Sequence, residues 1–213
     1  PGLAVLGEQV TRVLLGAGVA GAGLEVARRV VVARRRGRDS KPEAPGTEES
    51  SEPRLRRSFP ESAEAGQALK EAGLTVAVAE SCTGGLLGAA LTALPGSSTY
   101  VRGGVIAYAD DVKRDLLGVP AAVLAQHGAV SEESAIAMAE GVRAALDASV
   151  GVAITGIAGP ASDETAKPVG LVYVCVAGPA LERRVEVLRR DRGREGNRAE
   201  AVRRALRLPT AAA

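Results

Sequence analysis

The chain has 213 residues, enough for one domain and a tail, with a formal net charge of +2. Hydrophobic residues make up 46% but aromatics only 2%, with no Trp, so the core must be built from Val, Leu, Ile and Ala, as in a small α/β protein. Two cysteines, Cys82 and Cys175, form no disulfide framework and suggest a reducing cytoplasm, and a lone histidine, His127, argues against a His-based zinc site.

Residues 1–60 differ in composition from the rest. Leu3 to Val32 is rich in Gly, Ala and Val, but its longest uncharged run, Val13 to Leu24, is shorter than the about 20 apolar residues a membrane-spanning helix needs. An Arg cluster follows, Arg34-Arg35-Arg36 with Arg38, and then Lys41 to Pro60, a Ser-, Pro- and Glu-rich stretch that reads as a disordered linker. A chain opening at Pro1 fits a fragment or a misassigned start. Three readings of this segment stay open: remnant of an upstream domain, weak membrane-surface helix, or non-native extension. A signal peptide fits poorly, because the charges follow the apolar stretch instead of preceding it.

The domain is expected over residues 61–210. Ser62 reads as the cap of a helix ending at Gly73. Leu74–Ala79 is a buried strand, followed by Glu80-Ser81-Cys82-Thr83-Gly84-Gly85 and a helix that stops at Pro95-Gly96. Thr99–Tyr108 contains a second strand, with a bulge at Gly103-Gly104. Asp110–Leu117 is a short helix ended by Gly118, and Ala121–Gln126 is another. Ser131 caps a helix to Leu146. Val150–Thr155, Leu171–Ala177 and Arg183–Leu188 read as strands, and Asn197–Leu208 as a terminal helix. The β–α alternation, ending in a near-hairpin, implies a three-layer α/β/α sandwich with a mixed sheet.

Chemistry concentrates in three loops that follow strands. The turn at Ser81 sets a hydroxyl and a thiol where a strand becomes a helix, with unpaired backbone amides and two glycines that let a ligand approach. Such a turn can expose a nucleophile or hold an oxyanion or phosphate; its plainer reading is a helix cap with glycines that only make the turn. The second loop is Tyr108-Ala109-Asp110-Asp111-Val112-Lys113, and the third Thr155-Gly156-Ile157-Ala158-Gly159-Pro160. Ligands bind beyond the carboxyl ends of strands in open α/β sheets, where all three can converge. An amine can then replace histidine as base for a serine, whereas by itself Lys113 is a solvated helix lysine, Tyr108 an interfacial aromatic and Thr155 a capping hydroxyl.

Together these pieces resemble the CinA C-terminal domain family, the bacterial nicotinamide-nucleotide amidohydrolases. The resemblance covers Gln67 to Leu208. It rests on Ala79 to Gly85, Pro95-Gly96-Ser97-Ser98, Gly104 to Tyr108 with Lys113, His127 to Ser131, Thr155 to Pro160, and Lys167 to Val172. It implies a Ser/Lys hydrolase that deamidates nicotinamide mononucleotide to nicotinate mononucleotide and ammonia, with no metal or organic cofactor. Ser81 is then the nucleophile, Lys113 its base, and Tyr108 and Thr155 supports of the proton network. Backbone around Thr83, Gly84 and Gly85, together with Gly156, contacts substrate. The family's arginine after the last strand, which reaches the substrate phosphate, falls on Arg194, or on Arg192 in a shifted register.

The chain departs from the family pattern at Ala161-Ser162-Asp163, where glycines are usual. It also departs at Arg189-Arg190-Asp191-Arg192-Gly193, where an aromatic and a glycine precede the arginine. Residues 1–60 do not resemble the N-terminal domain of the longer family members. Two competing readings are a Cys82–Glu80–Lys113 trio with the thiol as nucleophile, and a non-catalytic nucleotide-binding or competence-linked accessory module. From Glu61 onward 16 Lys and Arg face 18 Asp and Glu, so no general pull on nucleic acid is expected. A membrane partner is not expected either; a homo-oligomer is.

Overall fold

Where apolar and small residues alternate in this sequence, the two kinds end on opposite faces of one sheet. The computed structural model describes residues 51–162, 166–178 and 181–207. The expectations for residues 1–50, for Asp163 and for residues 208–210, with the terminal helix's end at Leu208, lie outside these. In chain order the elements are α1 (Ser51–Ser58), α2 (Glu61–Glu71), β1 (Val76–Glu80), α3 (Leu86–Thr92), a 3-10 turn (Ser97–Thr99), β2 (Val101–Ile106), α4 (Asp110–Leu117), α5 (Ala121–His127), α6 (Glu132–Ala145), β3 (Val150–Gly156), β4 (Leu171–Gly178), β5 (Leu181–Arg189) and α7 (Gly193–Arg207). The five strands form one sheet in the order β2-β1-β3-β4-β5. β1 runs parallel to both β2 and β3, while β4 is antiparallel to β3 and to β5. The result is the expected three-layer α/β/α arrangement with a mixed sheet.

The two-residue period of a strand sends successive side chains to opposite faces. Val76, Val78, Val150, Val152, Ile154, Val172, Val174 and Val176 pack with α2, α3 and α7 in one core. Ala77, Ala79, Ala153, Cys175 and Ala177 pack with α4 and α6 in the other. The second face carries small residues because α6 lies close against it. A side chain at Gly151 would run into the Ala139 carbonyl, and one at Gly141 into the Leu117 carbonyl. α6 itself buries Ala135, Met138, Ala139 and Val142, an i, i+3, i+4, i+7 stripe.

Several boundaries follow the sequence signals. Gly118 ends α4 with φ of 66°, and Ser131 Oγ accepts from the Ser134 N–H at 3.1 Å to cap α6. β2 does carry an irregularity, but it falls at Arg102 rather than at the expected Gly103-Gly104: Val76 pairs with Val101 and Ala77 with Gly103, and Gly104 follows in register with Val78.

Three expectations are corrected. The stretch read as linker up to Pro60 ends in α1, and Phe59 is buried in the core with the Arg203 guanidinium 5.7 Å from its ring centre, so the folded unit begins before residue 61. Ser62 makes no cap: it lies inside α2, fully buried, with an unpartnered hydroxyl. α7 starts at Gly193 rather than Asn197, because the Asp191 carboxylate accepts from the Gly193 N–H at 2.8 Å and launches the helix a turn early.

Because β1, β2 and β3 are parallel, their carboxyl ends lie along one edge of the sheet. The Ser81 turn, the Tyr108–Asp110 junction and the Thr155–Gly159 loop all leave from that edge.

Candidate active site

The three loops enclose a cavity of about 260 Å³ lined by Ser81, Cys82, Tyr108, Lys113, Thr155 and Gly156, with Arg194 from α7. Ser81 is 8% exposed, and its N–H donates to the Ile154 carbonyl at 2.9 Å, extending the β1–β3 pairing by one residue. That bond fixes the backbone under the hydroxyl. Gly84 and Gly85 then turn the chain into α3 at φ of 59° and 96°, a conformation that side chains other than glycine resist.

The amides of this turn are not all free for a ligand. Glu80, itself buried, folds its carboxylate back onto the start of α3. It accepts from the N–H groups of Gly85 at 3.0 Å, Leu87 at 3.1 Å and Gly88 at 2.8 Å. The internal carboxylate takes the place that the helix dipole offers to an anion. The Gly84 N–H donates to the Ser81 carbonyl at 3.1 Å. Gly84 and Gly85 therefore shape the turn without offering their amides, and neither they nor Thr83 line the cavity. Among the described residues the amides of Cys82 and Thr83 donate to no carbonyl or carboxylate. Thr83 is fully buried with an unpartnered hydroxyl, and its carbonyl accepts from Arg198 Nη2 at 2.7 Å.

Lys113 sits one turn into α4 and is 1% exposed. Its Nζ donates to the Tyr108 carbonyl at 3.1 Å and to Asp110 Oδ1 at 3.2 Å. The solvated-lysine reading is thereby excluded. Among the described residues no hydrogen bond joins it to Ser81, although both groups face the same cavity. Tyr108 is 60% exposed at the mouth, so its carbonyl rather than its phenol holds the lysine. Thr155 is fully buried, and its Oγ1 donates to the Ala129 carbonyl at 2.7 Å, pinning the wall formed by Ala129 and Val130. Lys167 pins that wall from the other side, donating to the His127 and Val130 carbonyls at 2.7 and 2.6 Å.

The two candidate arginines sit in different places. Arg194 lines the cavity, and its Nη1 donates to the Gly159 carbonyl at 2.7 Å. Arg192 instead lies 3.9 Å from Glu200 and lines a separate cavity of about 200 Å³ beside β5. Asn197, which sequence reasoning missed, fastens α7 to the site. Its Nδ2 donates to the Ala158 carbonyl at 3.0 Å and to Asp191 at 2.9 Å, while its Oδ1 accepts from the Arg192 N–H at 2.8 Å. No local pattern marks a buried asparagine, whereas Asp110, three residues before Lys113 on a helix, carried a legible i, i+3 signal.

Burial pushes the Cys82 thiol up to about 12, so the thiolate is nearly absent at neutral pH. Glu80 is fully engaged by backbone donors. Both facts count against the Cys82–Glu80–Lys113 trio. Among the described residues no helix is long and apolar enough to cross a membrane.

Known proteins resemble this chain in sequence and fold. A CinA-like protein from Gloeobacter violaceus is 53% identical over 141 residues, 66% of this chain and 33% of that protein. A competence-damage inducible protein from Desulforamulus reducens is 61% identical over 114 residues, 54% of this chain and 28% of that protein. The chain thus spans about a third or less of these curated relatives. Among solved structures, the competence/damage inducible protein CihA from Agrobacterium tumefaciens superposes with a TM-score of 0.68 at 37% identity, covering 80% of this chain and 98% of that one. A CinA superfamily protein from Klebsiella pneumoniae gives 0.69 at 32% identity, covering 72% and 96%. The match to the family described as the CinA C-terminal domain runs over residues 60–211, and the chain belongs to that family.

Proposed function

We propose that this protein is an amidohydrolase that converts nicotinamide mononucleotide to nicotinate mononucleotide and ammonia. The observation that supports this most is that a serine hydroxyl, a buried amine and an arginine, Ser81, Lys113 and Arg194, line one cavity. Ser81 Oγ attacks the carboxamide carbon while Lys113 takes its proton. The oxyanion that forms is met by the Cys82 amide, the one residue of the turn besides Ser81 that lines the cavity. Lys113 returns the proton to the leaving nitrogen, ammonia departs, and water cleaves the ester on Ser81. A positioned base of this kind contributes about 10²–10⁴-fold. Arg194, with guanidinium donors beyond the one bonded to Gly159, pairs the phosphate at the far end of the substrate.

The test is ammonia release from nicotinamide mononucleotide by the purified chain, compared with Ser81→Ala. A second reading, a nucleotide-binding module, draws on the donation of Lys113 to Tyr108 and Asp110 rather than to Ser81. Calorimetric binding of the mononucleotide without ammonia release would favour it. A cytoplasmic setting fits the free thiols of Cys82 and Cys175. Self-association belongs to this proposal too and is read by sedimentation.

A further inference from the structure

Lys113 offers more than burial. A neutral primary amine has two N–H bonds and one lone pair, arranged tetrahedrally. Here two acceptors are in place, the Tyr108 carbonyl at 3.1 Å and Asp110 Oδ1 at 3.2 Å. Both belong to the segment that carries the lysine, so the orientation is built locally at the β2–α4 junction. In the neutral amine that the Ser/Lys reading requires, two N–H bonds directed at these oxygens leave the lone pair the remaining tetrahedral direction. Ser81 lies across the shared cavity, and the other cation of that cavity, Arg194, is tied to Gly159. We infer that Asp110 is a positioning residue, which fixes the Lys113 amine so that its lone pair, and after proton transfer its third N–H, serves Ser81.

This inference rests on the Ser/Lys reading above. Asp110 does not itself act on substrate. Its carboxylate is 60% exposed, so water screens its charge, and its contribution is a fixed acceptor more than a field. Removing the acceptor frees the amine to rotate, whereas replacing the charge by an amide oxygen in the same place does not.

The experiment is steady-state deamidation of nicotinamide mononucleotide by the full chain, Asp110→Asn and Asp110→Ala. Asp110→Ala is expected to lower kcat about 10²-fold, the scale of a small misplacement of a reacting group, with KM almost unchanged. Asp110→Asn keeps an acceptor oxygen and is expected to stay within about threefold of wild type. Wild-type kcat in Asp110→Ala, or equal losses in both variants, would overturn the inference. Crystal structures of the two variants read it without turnover. Nζ stays beside the Tyr108 carbonyl in Asp110→Asn and leaves it in Asp110→Ala; an unmoved Nζ in Asp110→Ala contradicts the inference. A wild-type protein that releases no ammonia sinks the functional reading instead, and the Nζ positions still decide the role of Asp110.

Discussion

Two ionisable side chains with 1% exposure sit at turns around the same cavity and are held in opposite ways. At the β1–α3 turn, Glu80 is saturated: both carboxylate oxygens accept, from three backbone donors at the start of α3. At the β2–α4 junction, Lys113 has two partners and lines a cavity. A buried charge whose bonds are complete contributes to the fold, and removing its hydrogen-bonding partner is costly. A buried amine left one bond short suits the proton transfer proposed for Lys113. Burial alone does not separate the two; the count of unmatched valences does.

The largest effect expected is on turnover. Ser81→Ala should lower ammonia release from nicotinamide mononucleotide by at least about 10³-fold, because nothing else in the cavity replaces the nucleophile. The variant should still fold, since the backbone N–H of residue 81 keeps its bond to Ile154. Activity in Ser81→Ala close to wild type would break the contrast at its centre.

The same comparison separates what a sequence can carry from what it cannot. The three-layer architecture was legible because hydrophobic period, glycine stops such as Gly118 and caps such as Ser131 are all local. Ser81, just past the end of β1, Lys113, in the helix after β2, and Thr155, near the end of β3, were picked out because each matches a family motif. The function of Glu80 was not, since its acceptors' geometry depends on amides five to eight residues away folding back over it. α1 and Phe59 were hidden by the polar composition around them. The start of α7 was hidden in an Arg- and Gly-rich stretch whose helical fate is decided by one carboxylate, Asp191.

A double dissociation sharpens the contrast. Glu80→Ala leaves one buried and two part-buried amides without an acceptor and should lower stability by on the order of 3 kcal/mol. For a domain of this size that lowers Tm by roughly 6–12 °C. Lys113→Met keeps the length of the side chain without its charge; it should leave Tm unchanged or raise it, and remove about 10²–10⁴-fold of the rate. Thermal melts and rates on the same two preparations decide this. Loss of Tm in both variants would make Lys113 a structural charge like Glu80.

Arg194 should act on binding. Arg194→Ala is expected to raise KM for the mononucleotide about 10–100-fold, the scale of a charged hydrogen-bonded pair, while barely changing hydrolysis of nicotinamide riboside, which lacks the phosphate. Equal losses on both substrates would assign Arg194 to holding the Gly159 loop.

The smallest effect is expected at Cys82. With burial holding its thiol near 12, iodoacetamide at pH 7 should leave activity intact. Rapid inactivation, mapped to Cys82 and blocked by substrate, would reopen the thiol mechanism.

The central claim, that Lys113 works as a proton-accepting amine with an open valence, is tested most directly by chemical rescue. Ammonia release from nicotinamide mononucleotide is measured for Lys113→Ala while ethylamine is titrated into the space the side chain has left. A silent variant whose rate climbs with the concentration of unprotonated amine is expected. A Lys113→Ala protein that turns over near the wild-type rate with no amine added would contradict it.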